Sequence, residues 1–306
     1  MKPKRLTITS FLLLTTLWFG TSALAEDAEH LRQLLETKQC KTCDLSGANL
    51  SGINLSGANL VGANLLNANL SGTNLSRANL AGANLAVANL RGANLLNANL
   101  GRANLNRTDL SETNLEGVFL SDANLSNTNL SGTDLTQANL IRVNFMNANL
   151  SRVNLSGVNL VRANFRGANL TEATLSKTNL NSANLSVANL SNTDLNGANL
   201  VAADMTRVLL LDAQLGTANL SGANLTEAHL INANLGKSNL SGTNLLRANL
   251  READLSGANL RSANLRNANL FEANLKSADL TGVNLNEVIL CGATMPDGSQ
   301  STQGCQ

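Results

Sequence analysis

Large apolar residues recur along this chain with a period of five. From Leu45 to Leu290 every fifth residue is a large apolar centre, fifty in succession, and only Phe145, Phe165 and Met205 among them are not Leu. Two positions before each centre stands a small or β-branched residue. It is Ala in 32 of the fifty repeats, so each large position is paired with a small one. Asn or Asp fills the position between them except at Phe119, Thr174, Leu209, Gln214, His229 and Ile289. Ser, Gly, Asn, Arg and Glu dominate the other two positions. A period of five matches neither a helix, at 3.6, nor a strand, at 2. The pentapeptide is therefore the unit of a stacked repeat. No insertion interrupts the count, so the repeat region carries no long loop. Ahead of it, residues 26–39 (EDAEHLRQLLETKQ) predict a helix, with Leu31, Leu34 and Leu35 on one face and acidic residues in the first turn.

The repeat, as in Ala48-Asn49-Leu50-Ser51-Gly52, resembles that of the pentapeptide-repeat family, and the resemblance covers residues 43–295. It implies an all-β solenoid, a right-handed quadrilateral β-helix with four pentapeptides per 20-residue coil. The large centre and the small residue then point inward, and the other three face water. A narrow square section has room for one large and one small inward side chain per side. Fifty repeats make about 12 coils, a rod roughly 60 Å long at the strand spacing of about 4.8 Å. Phe145, Phe165 and Met205 share one remainder modulo 20 and fall in a single core column, with Phe145 stacked on Phe165. The interior is filled by side chains and leaves no space for a ligand. The predicted helix caps the first coil against edge pairing. Pro296-Asp297-Gly298 turns the chain into a tail, residues 296–306.

Composition narrows the function. Charged residues are 14% of the chain, the formal net charge is +1, and there is no Tyr. That balance suits neither a nucleic-acid binder nor a phosphate mimic. Two His and no acidic or Cys cluster predict no metal site, no cofactor and no enzyme active site. Residues 1–25 read as a secretory signal: Lys2, Lys4 and Arg5, an apolar run Phe11 to Phe19, then Ala23-Leu24-Ala25. The run is too short to span a bilayer, which takes about 20 residues. The expectation is a cleaved chain of residues 26–306 without a membrane anchor, exported to a periplasm or a thylakoid lumen.

The four Cys lie at the ends, Cys40 and Cys43 before the first coil and Cys291 and Cys305 at the last. A rod about 60 Å long separates the two groups far beyond the 4.4–6.8 Å that a disulfide tolerates between Cα atoms. On the family template the pairs are Cys40–Cys43 and Cys291–Cys305, in keeping with export. A redox-active Cys40-Lys41-Thr42-Cys43 is the alternative, though no thioredoxin-like βαβ pattern surrounds it. His30 and His229 read as solvated surface residues.

Outward positions sorted by coil give four columns. One is acidic (Glu112, Glu172, Asp212, Glu252, Glu272, broken by Arg152) and one basic (Arg102, Arg142, Arg162, broken by Asp122). A third holds Leu211, Ile231, Arg251 and Phe271 where Ser or Thr is usual, enlarged by Leu209 at one end. A fourth holds Ile141, Val161 and Val201. The third column is the candidate interaction stripe, for an unidentified protein partner or a homodimer. The leading reading is an exported, non-enzymatic rod with a structural or protein-interaction role. Two alternatives stand beside it: a DNA-mimicking topoisomerase binder, and a thiol-disulfide protein using Cys40 and Cys43.

Overall fold

The computed structural model describes residues 24–305. The expected signal, residues 1–25, lies almost wholly outside the described residues. Helix α1 runs Leu24–Thr37, two residues ahead of the expected span at both ends. It stops where Lys38 takes a left-handed φ of 56° and donates its N–H to the Leu34 carbonyl at 2.9 Å. Gln39 already belongs to the solenoid, bridged in parallel to Asn59. Leu34 is fully buried against the first coil and Leu31 partly so. Leu35, expected on the same face, is 48% exposed: it lies on the solvent flank of the helix.

From Gln39 to Asn274 all but three Asn-position residues make a parallel bridge to the residue 20 positions later, as Asn49 to Asn69 and Asn69 to Asn89. Four such positions fall within every 20 residues, so the coil has four sides. Between sides the chain must turn. Leu45 C=O accepts the Ala48 N–H at 3.1 Å, closing a turn through Ser46 and Gly47. Gly47 sits at φ 66°, the positive value that the third residue of a type II turn requires. Gly supplies it without a clash, and Asn67 (φ 56°) tolerates it. At Val187 (φ 52°) a β-branched side chain is held there at a cost of about 1–2 kcal/mol.

The Asn position does more than face water. Asn49 Oδ1 accepts the Ser51 N–H at 3.3 Å and the Asn69 Nδ2 at 3.1 Å. One contact holds the local turn and the other joins coils. On one side such side-chain bonds run unbroken from Asp44 through Asn64, Asn84, Asn104, Asn124 and Asn144 to Asn164. The six Asn side chains of this column are half-buried, where the template placed them simply outward, and Asp44 at its head is exposed.

Inside, the large and small residues interlock along the axis. Leu50, Ala58 and Leu60 are all at 0% exposure, as are Phe145, Phe165 and Met205. The Phe145 and Phe165 rings stack with centroids 5.3 Å apart and planes 24° from parallel. Each buried Leu contributes about 1.5–3 kcal/mol, offset in part by the entropy of ordering its repeat.

Among the described residues the ladder parts at three places, between Asn114 and Asp134, Asn139 and Asn159, and Asn264 and Asn284. The first coincides with a run of stacked Thr. The amides of Leu110, Glu112, Leu115 and Gly117 reach no acceptor in the coil below. A cleft of about 380 Å³ opens there, lined by Thr113 to Glu116 on one coil and by Asp134, Thr136 and Gln137 on the next. The inward small slots supply the cause. Thr108 stacks on Thr128 and Thr113 on Thr133, the two places among the inward small slots where Thr follows Thr 20 residues on. Their hydroxyls need acceptors: Thr108 and Thr113 use the Leu85 and Leu90 carbonyls of the coil above, whereas Thr128 and Thr133 turn back to Leu125 and Leu130. Two stacked β-branched polar residues occupy more axial space than the usual Ala pair.

Two measurements check this account. Leu150→Asp buries an unpaired charge and is expected to cost several kcal/mol; an unchanged melting temperature would contradict the inward column. In hydrogen exchange, the amides of Leu110, Glu112, Leu115 and Gly117 are expected to exchange well ahead of their laddered equivalents one coil above. Equal protection would mean that the seam is closed in solution.

Candidate interaction surface

The corner positions carry the surface chemistry, because side chains just after each large centre project where the chain turns. The column Leu211, Ile231, Arg251, Phe271 is joined through its own backbone. Asp212 N–H donates to the Ile231 carbonyl (3.1 Å), Asn232 to Arg251 (3.0 Å) and Glu252 to Phe271 (2.9 Å). The structure therefore brings the predicted stripe together on one corner. Leu209 stands beside it in the adjoining ladder, bridged to Asn189 and His229. Leu209, Leu211, Ile231 and Phe271 are half-buried, since stacked neighbours cover part of each. The Arg251 guanidinium carbon lies 5.0 Å from the Phe271 ring centroid, a cation–π contact, and its Nη2 lies 3.8 Å from Glu252 Oε1. Arg251 thus closes the gap in the apolar row. Asp212, Glu252 and Glu272 stand exposed along the margin.

On the basic corner, Ile141, Val161 and Val201 are likewise half-buried, and Arg102, Arg142 and Arg162 exposed. Arg142 makes a two-pronged contact with Asp122, at 2.6 and 2.7 Å. The Arg142 hydrogen bonds and charge hold the Asp122 carboxyl below the usual carboxylate range.

The most exposed large apolar side chain among the described residues is Phe119, 51% exposed. Ile289, at 40%, also stands in an Asn slot. The signal for both was in the sequence, as departures from Asn. Val87 and Val187, 50% and 44% exposed, occupy the second turn position, where the tolerance for varied residues hides them.

At the ends, Cys40–Cys43 and Cys291–Cys305 are disulfide-bonded, with S–S distances of 2.04 and 1.97 Å. Cys40 and Cys43 are 0% and 3% exposed, sealed beneath α1. His30 is not simply solvated. It is half-buried, and its Nδ1 accepts the Asp44 N–H at 3.3 Å, pinning the helix to the first coil. The tail after Pro296 folds back along the last coil. Met295 N–H donates to Ser299 (2.7 Å), Gly292 to Ser301 (2.9 Å) and Leu290 to Gln303 (3.0 Å). Gln303 Nε2 reaches the Leu285 and Val288 carbonyls. The tail thus supplies partners that a further coil would otherwise provide, and Cys305 anchors it.

The family model described as pentapeptide repeats matches successive stretches covering residues 40–117 and 120–295. The chain belongs to the pentapeptide repeat family. Members fold as right-handed quadrilateral β-helices, and no enzyme family is indicated for this one. Among solved structures, HetL, a pentapeptide repeat protein involved in heterocyst differentiation regulation from Nostoc sp. strain PCC 7120, is 33% identical. The match covers 90% of this chain and 98% of that one, with a TM-score of 0.21. A pentapeptide repeat protein from the thylakoid lumen of Arabidopsis thaliana is 34% identical over 34% of this chain and 68% of that one, with a TM-score of 0.27. The plasmid-mediated fluoroquinolone resistance protein QnrB1 is 22% identical over 54% of this chain and 85% of that one, with a TM-score of 0.42. No curated protein sequence matches.

The bonded cysteines set a mass. The purified protein is expected to weigh four hydrogens less than its reduced sequence, and to take up alkylating reagent only after reduction. Four free thiols in the native protein would refute both staples.

Proposed function

We propose that this chain is an exported, non-enzymatic rod that binds a protein partner through the corner bearing Leu211, Ile231, Arg251 and Phe271. One observation carries the reading: a continuous apolar column, filled in by Arg251 over Phe271 and bordered by exposed carboxylates. Apolar cover with a charged margin is the composition of an interface, and Phe and Arg are effective anchors. Export is supported by the signal-like residues 1–25 and by disulfides at both ends. The lumenal Arabidopsis relative makes a thylakoid lumen a natural destination, with a periplasm as the other. The rod comprises about 12 coils at the strand spacing.

The alternatives draw less support. A topoisomerase-binding DNA mimic needs a strongly acidic surface, and residues 26–306 hold 19 basic against 21 acidic side chains. A dithiol catalyst needs an accessible sulfur for attack, and Cys40 and Cys43 are both buried.

Replacing Leu211, Ile231 and Phe271 together by Ser tests the reading. The triple variant is expected to melt within a few degrees of the parent and to lose its co-purifying partner. An unaltered pull-down profile would reduce the stripe to ordinary surface.

A further inference from the structure

The stripe has a counterpart on the same chain. The Ile141/Val161/Val201 corner and the Leu211/Ile231/Phe271 corner are half a coil apart around the 20-residue turn, so they lie diagonally opposite each other. Both pair an apolar row at the first turn position with a charged row at the second. The prevailing charges are opposite: Arg102, Arg142 and Arg162 on one corner, broken by Asp122; Glu172, Asp212, Glu252 and Glu272 on the other, broken by Arg152.

Their axial spacings also agree. Ile141 to Val161 is one coil and Val161 to Val201 two; Leu211 to Ile231 is one coil and Ile231 to Phe271 two. A single shift of 70 residues therefore carries Ile141 to Leu211, Val161 to Ile231 and Val201 to Phe271. The same shift carries Arg102 to Glu172 and Arg142 to Asp212. Among the described residues Arg102, Glu172 and Asp212 are exposed and form no ion pair, whereas Arg142 is exposed and pairs with Asp122 of its own chain, and Arg162 maps onto the neutral Asn232. Val61, further up the arginine corner, maps onto Ser131 and takes no part.

We propose that the partner of the stripe is a second copy of this chain, lying parallel and displaced along the axis by three and a half coils, about 17 Å. This rests on the reading of the stripe as an interface and supplies its occupant. Corners of two parallel rods meet with their turns running in opposite senses, so each arginine row lies across from the partner's apolar row. The arginine stem covers that row and its guanidinium reaches the carboxylates beyond it. Arg251 already does this within one chain, lying over Phe271 and within 3.8 Å of Glu252. The contact joins two different corners, so each copy keeps one of each kind free. Association is heterologous and does not close, giving open rows of rods.

Charge reversal with complementation tests the proposal, using protein purified after expression of the full chain. At low salt and high concentration the parent is expected to sediment as a concentration-dependent series above the monomer, and to dissociate at high salt. Arg102→Glu with Arg142→Glu, and separately Glu172→Arg with Asp212→Arg, are each expected to weaken association more than tenfold. An equimolar mixture of the two variants is expected to associate again, since each supplies the corner that the other lacks. A parent that stays monomeric, variants that associate like the parent, or a mixture that stays dissociated would each overturn the proposal. The stripe reading fails separately: a monomeric parent whose Leu211/Ile231/Phe271→Ser variant loses a bound protein removes the second copy as occupant and keeps the stripe as an interface.

Discussion

The structure depends on one constraint, the parallel pairing of each residue with the residue 20 positions later. That pairing satisfies main-chain donors and acceptors between coils. It also leaves no freedom in the section, because every coil must have the same outline as the next. The alternation of one large and one small inward residue follows, as does the demand for a left-handed residue at each corner. Asn is favoured between them because a single amide can hold its own turn and bond its stacked neighbour at the same time. Packing, turn chemistry and polar satisfaction all act on the same five positions.

Where a repeat departs from the pattern, the departure is either absorbed or displaced to the surface. A Phe in the large slot is absorbed if the next coil also offers Phe, as Phe145 and Phe165 show. A Thr in the small slot is absorbed singly, as at Thr73, where the hydroxyl finds the Leu50 carbonyl. Where two such Thr pairs adjoin, at Thr108/Thr128 and Thr113/Thr133, the coils separate beside Asn114. Apolar residues in the outward slots cost the fold little and accumulate along corners.

Much of this was legible from residue order alone. The period of five is plain in the residue order; the inward pair and the 20-residue coil are what the family resemblance implies, and the Phe column and the disulfide pairs follow from that coil. Helical propensity continues through Lys38 and Gln39, so the sequence extends α1 two residues beyond its end at Thr37. Only the tertiary demand of the first coil reverses the chain there. Leu35 and His30 depart from expectation for a related reason, since α1 meets the coil along a narrower line than its apolar face suggests. The seam at Asn114 was equally present in the sequence, as paired Thr, but it appears only when small slots are compared from coil to coil. The candidate stripe was found by such a comparison, and its half-burial was not, because cover by stacked neighbours is a property of side-chain direction.

Each pentapeptide turns the chain through a quarter of the section, and this gives the core and the surface different tolerance to changes in repeat number. Loss or gain of one pentapeptide leaves every inward Leu facing inward, so the rod itself survives. All that follows, however, swings round by one side, and any corner column that spans the change is broken in two. Only a change of 20 residues, or a multiple of it, lengthens the rod and keeps its columns straight. A lineage that uses its corners would therefore be held to whole coils, while one that uses only its length would drift in steps of five.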